Sequence, residues 1–182
     1  MQSSKVNIYA IAGNTRFGDT DVEMDLFYPA SEDANHDSNQ NRHSIVVSVR
    51  WGNTYIVLGA DLLDDGWSKI FAPFPNEVHF LKVPHHGSHE GLSYNALGNC
   101  KDLCSVTSCS ANKRYKHPHC EPLRTYCKIG KHFVTRALNA SSVDVEVDRK
   151  GTINSRPVVN LAVPLECADF ECSRSCNSTC RS

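Results

Sequence analysis

The sequence predicts an α/β protein with a mixed sheet and flanking helices. Three observations carry that prediction: an antiparallel hairpin, strand-like runs that alternate with helical ones after it, and polar residues at the ends of those strands. The hairpin is the clearest. Ser44–Arg50 and Thr54–Leu58 are β-branched runs, and Gly52-Asn53 between them makes a two-residue turn. Upstream, Val6–Ala12 and Val22–Tyr28 read as strands around a turn region at Gly13–Gly18, and Ser31–Arg42 reads as a polar loop. Downstream, Asp64-Asp65-Gly66 starts a helix with Trp67, Ile70 and Phe71 at helical spacing, stopped by Pro73 and Pro75. Val78–Val83 is the next strand and runs into Pro84-His85-His86-Gly87-Ser88. A short helix near Gly91–Leu97, a strand at Leu103–Ser108, a helix at Glu121–Lys128 and a strand at Phe133–Arg136 follow. Val143–Val147 and Val158–Val163 complete the ordered part.

The bulk numbers fit one domain with a true core. The chain has 182 residues, 40% of them apolar, and a formal net charge of -1. Such a balance excludes global attraction to nucleic acid or membrane, and no run approaches the roughly 20 apolar residues of a spanning helix. Charge is nevertheless concentrated. Between Lys101 and Arg136, the basic residues Lys101, Lys113, Arg114, Lys116, Arg124, Lys128, Lys131 and Arg136 outnumber Asp102 and Glu121. That segment is either a surface for an anionic substrate or a solvated face. The domain is expected over residues 1–164, and residues 165–182 form a cysteine-rich tail.

All nine cysteines lie after residue 99. No export signal opens the sequence, so reduced thiols and a cytoplasmic location are expected, although sequons at Asn139 and Asn177 leave secretion open. Cys172, Cys176 and Cys180 would share one helix face, but with Cys167 they match no standard zinc spacing. Cys109, Cys120 and His119 are weaker ligand candidates. His36 and His43, isolated in the polar loop, are expected in solvent.

The chemistry-bearing signal sits at strand ends. Asp61 ends one strand and His85-His86 the next. In layered α/β proteins, loops at neighbouring strand ends converge on the ligand site. A carboxylate and an imidazole meeting there make a metal pair, since carboxylate oxygen suits hard or borderline cations and imidazole suits zinc, iron or manganese. An aspartate after a strand is by itself more often a turn residue or helix cap. Paired imidazoles followed by glycine have fewer structural uses.

Four segments occur in order: Asn41-Arg42-His43-Ser44 opening the first hairpin strand, Leu58-Gly59-Ala60-Asp61, Leu81-Lys82-Val83-Pro84-His85-His86-Gly87-Ser88, and Ser110-Ala111-Asn112 with His117-Pro118. Together they resemble the metallo-β-lactamase superfamily, in the branch similar to the hydrolase domains of competence DNA-uptake proteins. The likeness covers roughly residues 5–153 and falls on the carboxy-terminal half of that four-layer αββα sandwich. It implies a metal-dependent hydrolase of phosphodiester or nucleic-acid-like substrates, using zinc or manganese. Asp61 is implied as the bridging metal ligand. One of His85 and His86 would hold the second metal while its neighbour contacts substrate; we assign the ligand role to His85 and a catalytic role to His86. His117 is the other implied catalytic residue, and Ser88, Asn112 and Lys116 the substrate contacts. Thr135, Asn41 and Ser44 also match family positions.

Departures from the pattern are specific. Ala60 stands where the family has Gly before the aspartate, and Lys116 where Gly precedes His-Pro. The superfamily's His-x-His-x-Asp-His motif, which belongs to its amino-terminal half, is not found in these residues. Two readings therefore stand: a hydrolase completed by a missing amino-terminal half or a dimer partner, and a non-catalytic binding or assembly module derived from a hydrolase half. Either way, the alternation of Ile45, Val47 and Val49 leaves an apolar sheet face that needs covering.

Overall fold

The computed structural model describes residues 15–17, 22–27, 39–70, 78–91, 97, 100–109, 117–135, 142–148 and 152–157. Seven strands form one mixed sheet: β1 (Thr15–Phe17), β2 (Val22–Phe27), β3 (Val46–Trp51), β4 (Thr54–Leu58), β5 (Phe80–Lys82), β6 (Leu103–Thr107) and β7 (Gly130–Val134), in that spatial order. β1 to β4 pair antiparallel, and β4 to β7 pair parallel. Among the described residues, helices α1 (Asp64–Ile70) and α2 (Cys120–Ile129) accompany the sheet, and a separate hairpin is made by β8 (Val143–Val147) and β9 (Ile153–Pro157). The expected α/β class with a mixed sheet is what forms.

Local chemistry explains the turns. Gly52 has a φ of 58°, and Trp51 pairs with Thr54 across it, so the hairpin turn takes the backbone region that glycine enters without strain. Asp64 and Asp65 lie in the first turn of α1, where carboxylates offset the exposed N–H groups. Arg42 pairs with Asp65 at 3.2 Å, but both side chains are about half exposed and the pair adds little stability.

Register divides the core into two layers. One face carries the row Ser48, Val57, Leu81, Ser105 and His132, and it packs with Trp67 of α1 and Tyr126 of α2. The opposite face carries Val49, Ile56, Phe80 and Cys104, and β8 and β9 cover part of it through Val143, Val145 and Ile153. The next row on that face includes Val47 and Leu58, and Leu58 remains 40% exposed. Ile45, read with Val47 and Val49 as an apolar face that needs covering, is 41% exposed just before β3 begins.

Several sequence expectations shift. Thr15–Phe17 is a strand inside the segment expected to turn, because it finds a full antiparallel partner in Met24–Leu26 of β2. β5 is three residues rather than six, and β7 starts at Gly130 rather than Phe133. β9 at Ile153–Pro157 was not expected; it is built from a polar Ile-Asn-Ser-Arg-Pro run whose strand state comes from pairing with β8. The expected strands at 6–12 and 158–163, most of the helix at 91–97 and the 165–182 tail lie outside the described residues. Cys120 and Cys127 each take part in a disulfide, which departs from the expectation of reduced thiols. Cys100, Cys104 and Cys109 are thiols. Among the described residues, no helix is long and apolar enough to cross a membrane.

Candidate metal centre at the ends of the parallel strands

The four parallel strands β4 to β7 deliver their carboxyl ends to one edge of the sheet. After β4 comes Gly59-Ala60-Asp61; after β5, Val83-Pro84-His85-His86; after β6, Ser108 and Cys109; after β7, Thr135. Backbone bonds stitch these ends together. Gly59 N–H donates to Lys82 O (3.2 Å), His85 N–H to Ala60 O (3.0 Å), Val83 N–H to Val106 O (2.9 Å) and Thr135 N–H to Thr107 O (3.0 Å). The Thr135 hydroxyl donates to Cys109 O (3.2 Å) and accepts from Cys109 N–H (3.1 Å), so this residue fixes the loop after β6.

Asp61 and His86 meet here. The Asp61 Oδ1 to His86 Nε2 distance is 3.6 Å, and both side chains reach solvent. His86 Nδ1 lies 2.6 Å from Ser108 O. A carbonyl only accepts, so Nδ1 carries a proton, and in the neutral ring Nε2 presents its lone pair beside the carboxylate. Histidine ligands are oriented in this way, by donating the other ring N–H to a backbone carbonyl. Two donors on one zinc ion, each about 2.0–2.1 Å from it at a tetrahedral angle, stand about 3.3 Å apart. The observed 3.6 Å is close to that, and the donor set suits zinc or manganese. These two residues fit a cation as part of its shell. Among the described residues, no group of three or more His, Cys, Asp or Glu side chains is gathered around a metal position.

His85 faces elsewhere. Its Nε2 is 3.2 Å from the Asn41 side-chain amide, and its ring stands 5.4 Å from that of His117. The ring nitrogen beside Asp61 is therefore that of His86, whereas the sequence reading gave the ligand role to His85. The His85 Nδ1 and both His43 ring nitrogens are buried without a hydrogen-bond partner, so His43 is not the solvated residue expected. Ser88, expected to touch substrate, is 3% exposed and its hydroxyl accepts from Glu90 N–H at 3.3 Å, as a turn-capping residue does. Ser44 accepts from Asp61 N–H at 3.3 Å and so holds the aspartate loop. His117 lies beside His85, and burial, then the neighbouring imidazoles of His119, His85, His86 and His89, push its pKa down to about 4. It is neutral at physiological pH. Asn112 and Lys116 lie outside the described residues.

Strain is concentrated at this edge. Ala60, His85 and His86 have φ of 46°, 46° and 52°, a region L-residues enter at a cost of about 1–2 kcal/mol each. Ala60 occupies the position where the resembling family has Gly, and its positive φ supplies the reason. Ala60→Gly relieves that strain against an unfolded-state entropy cost of roughly 0.5–1 kcal/mol. The expected result is a gain of about 0.5–1 kcal/mol in urea unfolding, and a loss of stability contradicts it.

One charged neighbour was not singled out from sequence. Lys82 sits half-buried on β5, and its Nζ donates to Ala60 O at 3.3 Å. Burial lowers its pKa, and the Asp61 carboxylate partly offsets that. Lys82 and the His85 N–H thus share one carbonyl, tying the aspartate loop to the histidine loop. A lysine in a strand carries no sequence mark for such a role.

No family model matches the chain. The chain is similar to ComE operon protein 3 of Bacillus subtilis strain 168, with 28% identity over 131 residues. The match covers 71% of this chain and 16% of that protein, so the chain spans a small part of its relative's length.

Proposed function

We propose that this chain is the carboxy-terminal half of a metal-dependent hydrolase with the metallo-β-lactamase fold, acting on phosphodiester or nucleic-acid-like substrates. The observation that carries the reading is the Asp61–His86 pair, 3.6 Å apart, with the His86 ring oriented by Ser108 O. The likeness to a ComE operon protein agrees with the competence-like branch that the four ordered motifs resemble.

Asp61 and His86 would hold a divalent cation, zinc or manganese, which when bound supplies Lewis acidity toward water and toward an ester oxygen. Asp61 brings negative charge, and its loop is fixed by Ser44 and, through Ala60 O, by Lys82. His117 is neutral and is placed beside His85, where it can orient substrate. Lys82 places positive charge beside Asp61, which favours an anionic substrate. The remaining ligands come from an amino-terminal half or a partner chain. Exposed Leu58, paired with half-buried Val47, is consistent with a surface that such a partner covers.

The test is metal content at saturating zinc or manganese, read by plasma mass spectrometry on the full chain. Asp61→Ala and His86→Ala are each expected to lose one ion per chain. Hydrolysis of bis(p-nitrophenyl) phosphate, measured with the segment or partner that completes the site, should be lost with either variant. Metal content identical in all three proteins, with no hydrolysis, would leave the non-catalytic binding module as the reading.

A further inference from the structure

A second pair of imidazoles stands outside the Asp61–His86 pair. His89 opens the turn His89–Gly91, and His119 is the residue before α2. The chain brings them together by a backbone bond from His119 N–H to Gly87 O, 2.9 Å. His89 Nδ1 then lies 3.0 Å from His119 Nδ1, with ring centroids 4.6 Å apart.

The local hydrogen bonding does not account for that approach. His89 N–H also donates to His119 Nδ1, at 3.0 Å. An N–H only donates, so His119 Nδ1 is the unprotonated nitrogen and its one in-plane lone pair is already engaged. A second donor from His89 Nδ1 would crowd the same lone pair. Two imidazole nitrogens at 3.0 Å are instead near the roughly 3.3 Å that one tetrahedral zinc sets between its donors. Burial and the neighbouring His89 ring lower the His119 pKa, which keeps its ring neutral and able to act as a ligand, and Glu90 and Glu121 partly offset that. The His117 ring lies 5.0 Å from that of His119, and His89 is exposed, so the position is reachable from solvent.

We propose that His89 and His119 form a second transition-metal site, which takes one borderline cation such as Zn²⁺ or Cu²⁺ through their Nδ1 atoms, with solvent completing the shell. On binding, His119 Nδ1 exchanges its backbone donor for the cation. Neither residue belongs to the pair that carries the hydrolase reading, so the two sites stand or fall separately.

The test uses the full chain carrying Asp61→Ala, which removes the other site from the measurement. Equilibrium dialysis against zinc should still show one ion per chain. Adding His89→Ala or His119→Gln should weaken that binding roughly tenfold or more, since loss of even an outer partner costs 10–100-fold. With one equivalent of Cu²⁺, electron paramagnetic resonance should show coupling to two imidazole nitrogens, reduced to one by His89→Ala. His89 is exposed, so its variant decides the matter if His119→Gln fails to fold. The proposal is overturned if the Asp61→Ala chain binds no zinc, or if His89→Ala leaves affinity and copper spectrum unchanged.

Discussion

Gly87→Ala should destabilise the protein by about 2–4 kcal/mol, the largest effect expected of any single methyl group added near the site. Gly87 has a φ of 77°, so an alanine there starts with a backbone cost of roughly 1–2 kcal/mol. Its Cβ would also stand 2.8 Å from Pro118 Cβ and 3.1 Å from Thr107 Cγ2. Neither neighbour can swing away: Pro118 is a buried ring and Thr107 is a fully buried β6 residue. Overpacking of that kind costs roughly 1–3 kcal/mol. The same substitution disturbs the bond from His119 N–H to Gly87 O and moves His86, its immediate neighbour. Urea unfolding checks the magnitude, and a change under about 0.5 kcal/mol would show that the histidine turn is looser than its packing implies.

Acidification should unfold the chain through His132. This imidazole is buried in β7; its Nδ1 is 2.7 Å from the Ser105 hydroxyl and its Nε2 3.3 Å from the Thr107 hydroxyl, and it stacks on Tyr126 at 5.5 Å. Burial pushes its pKa down to about 3. In the unfolded chain the value is about 6.5. Between those values the unfolded chain binds the extra proton, so stability rises with pH across the window. The contribution is complete above about pH 6.5 and is lost as pH falls toward 3. Its full size is on the order of 5 kcal/mol. Carboxylates also weaken the fold in acid, so the informative quantity is a difference. His132→Asn, which cannot take up a proton there, should flatten the stability profile between pH 6.5 and 4 relative to the unaltered chain. Parallel profiles would contradict the assignment.

Much of the sheet was legible because its signals are local. The Ser44–Leu58 hairpin is written in β-branched runs around a glycine turn, and β6, β8 and α2 follow from composition and spacing alone. Thr15–Phe17 and Ile153–Pro157 were missed because neither segment is apolar enough to announce a strand; each owes its state to the strand it pairs with. The site was legible to the level of which loops meet. Asp61 and the histidine pair lie at adjacent strand ends, and parallel β4 and β5 bring those ends together. Which histidine faces Asp61 was not readable. It depends on left-handed backbone angles at His85 and His86, and on Ser108 O and Asn41, residues 22 and 44 positions away from their partners. His132 gave no sign of its role, because a histidine in a Lys-His-Phe-Val run reads as readily as a solvated residue. His89 and His119 meet only through tertiary structure, 30 residues apart.

X-ray diffraction from zinc-soaked crystals, collected on both sides of the zinc absorption edge, tests the central claim most directly. An anomalous peak is expected about 2.0–2.2 Å from both the Asp61 carboxylate and His86 Nε2, with the His86 Nδ1–H still on Ser108 O. No peak between those two side chains, or a zinc ion held by His85 with Asp61 turned away, would contradict it.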